Sequence, residues 1–272
     1  MPSSNPAFRG FNGAGSGQQQ YAGWGAQPQT QYGAPAQHDP YAAPSPYAAT
    51  STQYMTMDDV VTKTGVTFLV TVLTAAATWL AVPDSVAVVL LIPALLIGLV
   101  LGLVIAFKQI ANPAATLAYA AVQGVLVGAI SEFYAANFGS DLITQAVIGT
   151  FGVFFGMLVV YKTGAIRVTP KLTRWIVGAL FGVLALVLVN LVASFFIDGG
   201  LGLRDGGPIA IIFSLVVIGV AAFSLLLDFD MADEAIRRGA PAKFAWYIAF
   251  GLLVTVVWLY LEILRLLSYF RE

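Results

Sequence analysis

From residue 64 to residue 270 the chain alternates long apolar stretches with short polar gaps, and seven of the stretches are long enough to cross a membrane. They occupy residues 64–82, 85–107, 113–131, 142–161, 172–197, 208–227 and 244–269. Crossing about 30 Å of hydrocarbon takes roughly 20 apolar residues as a helix, because only a helix or a closed barrel satisfies its own backbone hydrogen bonds in lipid. The runs are continuous and lack the strict alternation of a lipid-facing strand, which sets a β-barrel aside. The expected fold is all-α, a polytopic bundle of seven transmembrane helices over residues 56–272.

Composition agrees: 58% of the residues are hydrophobic, 10% are charged and the mean hydropathy is +0.82. A soluble domain carries about 25% charged residues. The net charge of −1 excludes no partner class, whereas the lack of cysteine excludes disulfides, thiolate chemistry and thiolate metal sites.

Residues 1–55 belong to another physical class. They are rich in Gly, Gln, Ala, Pro, Ser and Tyr, with almost no aliphatic side chains to bury, and are expected to form a disordered cytoplasmic tail. Residues 41–50 hold a near-duplicate YAAP/YAAT unit, and Tyr21, Trp24, Tyr32, Tyr41, Tyr47 and Tyr54 are spaced along the segment. Composition alone does not separate an entropic tail from a self-associating or partner-binding one. The first apolar run begins some sixty residues in, too late for a cleaved signal peptide.

Short cytoplasmic loops keep an excess of Lys and Arg, so the gaps set an orientation. Lys108 follows the second span, Lys162, Arg167, Lys171 and Arg174 the fourth, and Arg237, Arg238 and Lys243 the sixth. The alternate gaps hold only Arg204. The N-terminus is therefore expected inside and the C-terminus outside, with ten of the thirteen basic residues on the inner side. Trp79, Tyr134, Tyr161, Trp175 and Trp246 fall near span ends, where amphipathic rings favour the headgroup level.

Helices in lipid associate through close backbone approach, which small residues four apart permit. The pairs Gly98/Gly102, Gly124/Gly128, Gly152/Gly156 and Gly178/Gly182 imply a tight bundle. Pro93 lies inside the second span and is expected to kink it or to free a carbonyl for another helix.

Ionisable groups at membrane depth are costly, so each is a functional candidate. Asp228 and Asp230 close the sixth span in LLLDFDMADEAI, Glu262 lies within the last, and Glu132 ends the third. For the acids from Asp228 to Glu234 the plain reading is a solvated interfacial turn opening a short amphipathic helix that ends at Arg237 and Arg238. Arg265 follows Glu262 by one helical turn, so the plain reading of Glu262 is an ion pair that sets register. Asn190, Gln123 and Gln145 are the other polar groups of note. His38, in the tail, has no expected metal or pH role. No nucleotide loop, zinc helix or nucleophile elbow is present, so neither an enzyme, a resident cofactor nor a nucleic-acid partner is expected.

The order of seven spans, QGVLVGAIS (123–131) in the third, LLLDFD (225–230) in the sixth and WLYLEILRLL (258–267) in the last resemble the Bax inhibitor-1 family in its YccA-like bacterial branch. The resemblance runs from about Asp58 to Glu272 and excludes the tail. It implies a central last helix and a proton-sensitive calcium leak in the bacterial inner membrane, governed by one acid on the sixth helix and one on the seventh, with calcium the transported ion. Asp228 and Glu262 match those positions; the family usually has Asp where Glu262 stands, and sets its two acids closer together. With straight helices the two acids here would lie roughly 18 Å apart along the bundle, too far to share a proton. Either the connecting loop is partly helical outside the membrane, or Glu262 faces another acid, with Glu132 at similar depth. Regulation of a membrane protease or another membrane complex is the other role that the resemblance implies.

Overall fold

The computed structural model describes residues 53–271 except Pro83 and Asp198. The expected disordered tail, residues 1–55, therefore lies outside the described residues save for its last three. Seven helices follow, each long and apolar enough to cross a membrane, and no strand occurs among the described residues. They are α1 (Met57–Ala81), α2 (Asp84–Lys108), α3 (Pro113–Phe138), α4 (Asp141–Thr163), α5 (Pro170–Ala193), α6 (Pro208–Arg237) and α7 (Ala245–Ser268), with a short 3-10 turn, Ala242–Phe244, leading into α7. The protein is a multi-pass membrane protein.

Polar caps move the helix ends away from the edges of the apolar runs. Thr56 and Asp59 close a reciprocal capping box, so α1 begins at Met57, seven residues earlier than hydropathy suggests. Thr169 caps the start of α5, with Pro170 as its first residue. α5 stops at Ala193 rather than at 197, where residues 194–197 turn away. The largest correction concerns α6, which continues to Arg237 instead of breaking at 227. The acidic segment is thus not a turn between two helices. Its ion pairs Asp233–Arg237 and Glu234–Arg238 sit four residues apart and support the helical path, which ends where Gly239 adopts a φ of 68°. In the same way α3 runs seven residues past Ser131, so Glu132 lies inside that helix and not at its end.

α7 is the axis of the bundle, buried along most of its length and packed on α1, α3, α4 and α6. Leu252, Leu259 and Leu264 anchor it in a core shared with Leu142, Ala146, Ala221 and Leu225. α2 lies outside, against α3, and α5 packs mainly on α6.

The four glycine pairs divide. A side chain at Gly124 would strike Thr74 and the Thr71 carbonyl of α1, and one at Gly128 would meet the Ala75 carbonyl at 2.5 Å, so α1 and α3 touch backbone to backbone. Gly98 and Gly102 admit Gln123 and Tyr119 of α3 against α2. Gly152, Gly156, Gly178 and Gly182 face open space, and the tight packing expected from them does not occur. The α1 face that meets α3 carries Thr67, Thr71, Thr74 and Thr78, each returning its hydroxyl proton to the carbonyl four residues earlier. α2 continues through Pro93, whose ring is exposed.

Candidate functional site

α6 and α7 run antiparallel from the turn at residues 239–244, and the acids of interest lie at opposite ends of this pair. Near the turn, Asp228 projects from α6 and its Oδ2 accepts the hydroxyl of Thr255 on α7 at 2.6 Å. The same hydroxyl lies 3.3 Å from the Gly251 carbonyl, one turn earlier on α7. A single proton serves both acceptors. With Asp228 ionised, Thr255 donates to the carboxylate; with Asp228 protonated, the carboxyl can donate to Thr255, which turns its own proton to Gly251. Beside this group is a cavity of about 50 Å³, lined by Asp228, Met231, Tyr247, Ile248, Phe250 and Gly251. Among the described residues no ion pair involves Asp228. Tyr247 on α7 lines the same cavity, and its hydroxyl donates to the Ala106 carbonyl at 3.5 Å; further along α6, Arg237 pairs with Asp233. Asp230 is half-buried, and the neighbouring Asp233 accepts the Tyr161 hydroxyl at 3.4 Å.

At the far end Glu262 is only 4% exposed, yet each of its oxygens has a partner. Oε1 accepts from Ser214 of α6 at 2.8 Å and Oε2 from Arg265 at 2.7 Å. The ion pair read from the one-turn spacing is formed. Arg204, from the connection between α5 and α6, stands close by, and burial together with the charge of Arg265 holds its guanidinium below the ordinary value against the pull of Glu262. Burial likewise raises the Tyr269 phenol. Further out, Arg271 grips Asp141 with two nitrogens, at 2.9 and 2.6 Å, and also reaches the Phe138 carbonyl and Gln145. This contact raises the Arg271 guanidinium above its usual value.

These partners establish the register. Thr255 faces Asp228 and Ser214 faces Glu262. Seven residues separate the two levels on α7 and fourteen on α6, or roughly 10 and 20 Å of helix rise. Across the interface Asp228 thus meets Thr255 and Glu262 meets Ser214, and no hydrogen bond joins the two carboxylates among the described residues. Glu132 does lie near the level of Glu262, since the adjacent Ser131 meets the Tyr260 hydroxyl at 2.7 Å, two residues before Glu262. Of the other polar groups, Asn190 accepts from the Leu201 amide at 2.9 Å and Gln123 donates to Tyr119 at 2.8 Å. Among the described residues no cluster of three metal-ligating side chains occurs.

Sequence reasoning missed Thr255 and Ser214. Each is a small hydroxyl set among apolar residues, and such a hydroxyl in a helix neighbouring an acid-bearing helix is the signal that could have found them.

No curated protein matches the chain. The family described as Bax inhibitor 1 like matches residues 5–272. With seven membrane-crossing helices arranged around the last of them, and nearly the whole sequence matched, the chain belongs to the Bax inhibitor 1 like family.

Proposed function

We propose that this protein is a pH-sensitive cation leak, passing calcium, in a bacterial inner membrane, with its N-terminus inside and its C-terminus outside. The observation that carries this reading is the Asp228–Thr255 contact. An ionisable side chain at membrane depth whose hydrogen-bond partner is a hydroxyl, with no cation in ion-pair reach, can change its charge without losing its partner. Its oxygens suit a hard cation when ionised, and protonation removes both the charge and the ligand. Switching the Thr255 proton between Asp228 and Gly251 couples that event to the α7 backbone. Glu262 acts in this reading as a brace, because Arg265 already neutralises it.

A second reading, regulation of a membrane protease or another membrane complex, draws on the root of the tail. The Met55 amide donates to the Ala240 carbonyl at 2.8 Å, and the Ala242 amide to the Gln53 carbonyl at 2.7 Å, which ties this segment to the α6–α7 turn. Lys63 strengthens the tie by bonding Asp59 and the Ala242 carbonyl. A partner holding the tail would thus act on that turn.

Calcium entry into liposomes containing the purified protein separates the two. The leak reading expects flux above protein-free vesicles that changes with pH in the wild type and is pH-insensitive in Asp228→Asn. Flux equal to that of empty vesicles at every pH would overturn it.

A further inference from the structure

α1 and α4 touch through the edge-to-face pair Phe68 and Phe154, ring centroids 5.8 Å apart, and then diverge toward the start of α4. Between them opens a crevice of about 280 Å³, backed by α3 and α7. Val72 and Trp79 of α1, Val147 and Phe151 of α4, and Leu253 and Tyr260 of α7 are among its walls. It occupies the half of the bundle away from the α6–α7 turn, since it draws on the last part of α1 and the first part of α4.

The hydroxyls at its surface are all engaged. Ser131 and Tyr260 bond each other at 2.7 Å, Thr150 returns its proton to the Ala146 carbonyl at 2.7 Å, and Thr71 donates to the Thr67 and Ala120 carbonyls. The surface that the walls turn to the crevice is consequently almost wholly carbon. Such a space neither hydrates an ion nor recognises a polar solute, so it is no part of a cation path. Its mouth is framed by Val72, 53% exposed, and Val147, 39% exposed, on two helices long enough to cross the membrane. The medium at that mouth is hydrocarbon. An empty space there forfeits dispersion contacts on every wall, and the volume is near the lower end of the roughly 300–1,000 Å³ usual for small-ligand sites.

We infer that this crevice is a binding site for one acyl chain of a bilayer phospholipid, inserted sideways between α1 and α4 and resting on the Ser131–Tyr260 pair. The α1 and α4 faces beside the crevice carry exposed Leu69, Leu73, Ile148 and Phe155, an apolar surface suited to lipid, so the site fills by lateral diffusion within the leaflet.

Trp79 supplies the probe. A variant keeping Trp79 alone, with the other four tryptophans replaced by Phe, is titrated in detergent micelles with a phospholipid brominated at mid-chain, bromine being a contact quencher. A second variant keeping only Trp175, 70% exposed on α5, reports the general lipid surface. Quenching of Trp79 should saturate near one lipid per protein, while quenching of Trp175 should rise in proportion to the lipid fraction. Ala76→Phe and, from the opposite wall, Val147→Phe each fill the crevice and should abolish the saturable component; thermal unfolding confirms that each variant is folded. Quenching of Trp79 that stays proportional, or a saturable component that persists in both filled variants, would overturn the site.

Discussion

Asp228 and Glu262 are both carboxylates on the α6–α7 pair, and they differ in the partners that hold them. Glu262 has a guanidinium one turn away and a serine across the interface, so both oxygens are committed. Asp228 has a threonine, a neutral partner able to donate or accept. A cation at bonding distance turns a buried acid into a structural pin, whereas a hydroxyl leaves it free to titrate. On the leak reading proposed above, Glu262, more prominent in the sequence because apolar residues surround it, is therefore the weaker candidate for the switch, because Arg265 already pairs with it.

The contrast can be broken most forcefully at Arg265. Arg265→Met strands a buried charge and should lower stability by about 3–5 kcal/mol, read as thermal unfolding in detergent. Adding Glu262→Gln should recover much of that loss; an Arg265→Met protein as stable as the wild type would make the two ends alike. Thr255→Val ranks next. It removes the donor to Asp228 while keeping the shape, and should cost about 1–3 kcal/mol, with Thr255→Ser near wild type. Asp228→Asn should change stability less, by about 1 kcal/mol, because an amide can still bond to Thr255. Its flux, however, should lose its pH response altogether, while Glu262→Gln should keep it. The smallest effect belongs to Arg204→Gln: Ser214 and Arg265 already satisfy Glu262, so stability should fall by no more than an exposed ion pair is worth, about 0–1 kcal/mol.

The number of spans was legible because lipid imposes one rule on every helix, a run of about 20 apolar residues, which a single sequence displays directly. Their ends were less so. Capping by Thr56 and the ion pairs that carry α6 to Arg237 act through polar residues that hydropathy counts as loop. The Glu262–Arg265 pair could be read because it lies within one helix. Asp228–Thr255 could not, since it depends on the register between two helices, which neither helix records in its own sequence. The glycine pairs show the same limit. Gly124/Gly128 and Gly178/Gly182 are identical patterns, yet only the first has a helix laid against it. Small residues permit close approach without supplying the neighbour.

The central position of α7 has a consequence in time. This helix follows the other six in the chain, so it leaves the ribosome after all of them, although it is the surface on which α1, α3, α4 and α6 close. α1 and α3 can associate early through Gly124 and Gly128, with α2 alongside. α4 can also meet α3 and α6, and α5 can meet α6, but the faces that α7 buries stay open until it arrives. Assembly is thus ordered from the outside inward. A ribosome that stalls before Ala245 leaves six inserted helices with no common core, a species for quality control to remove.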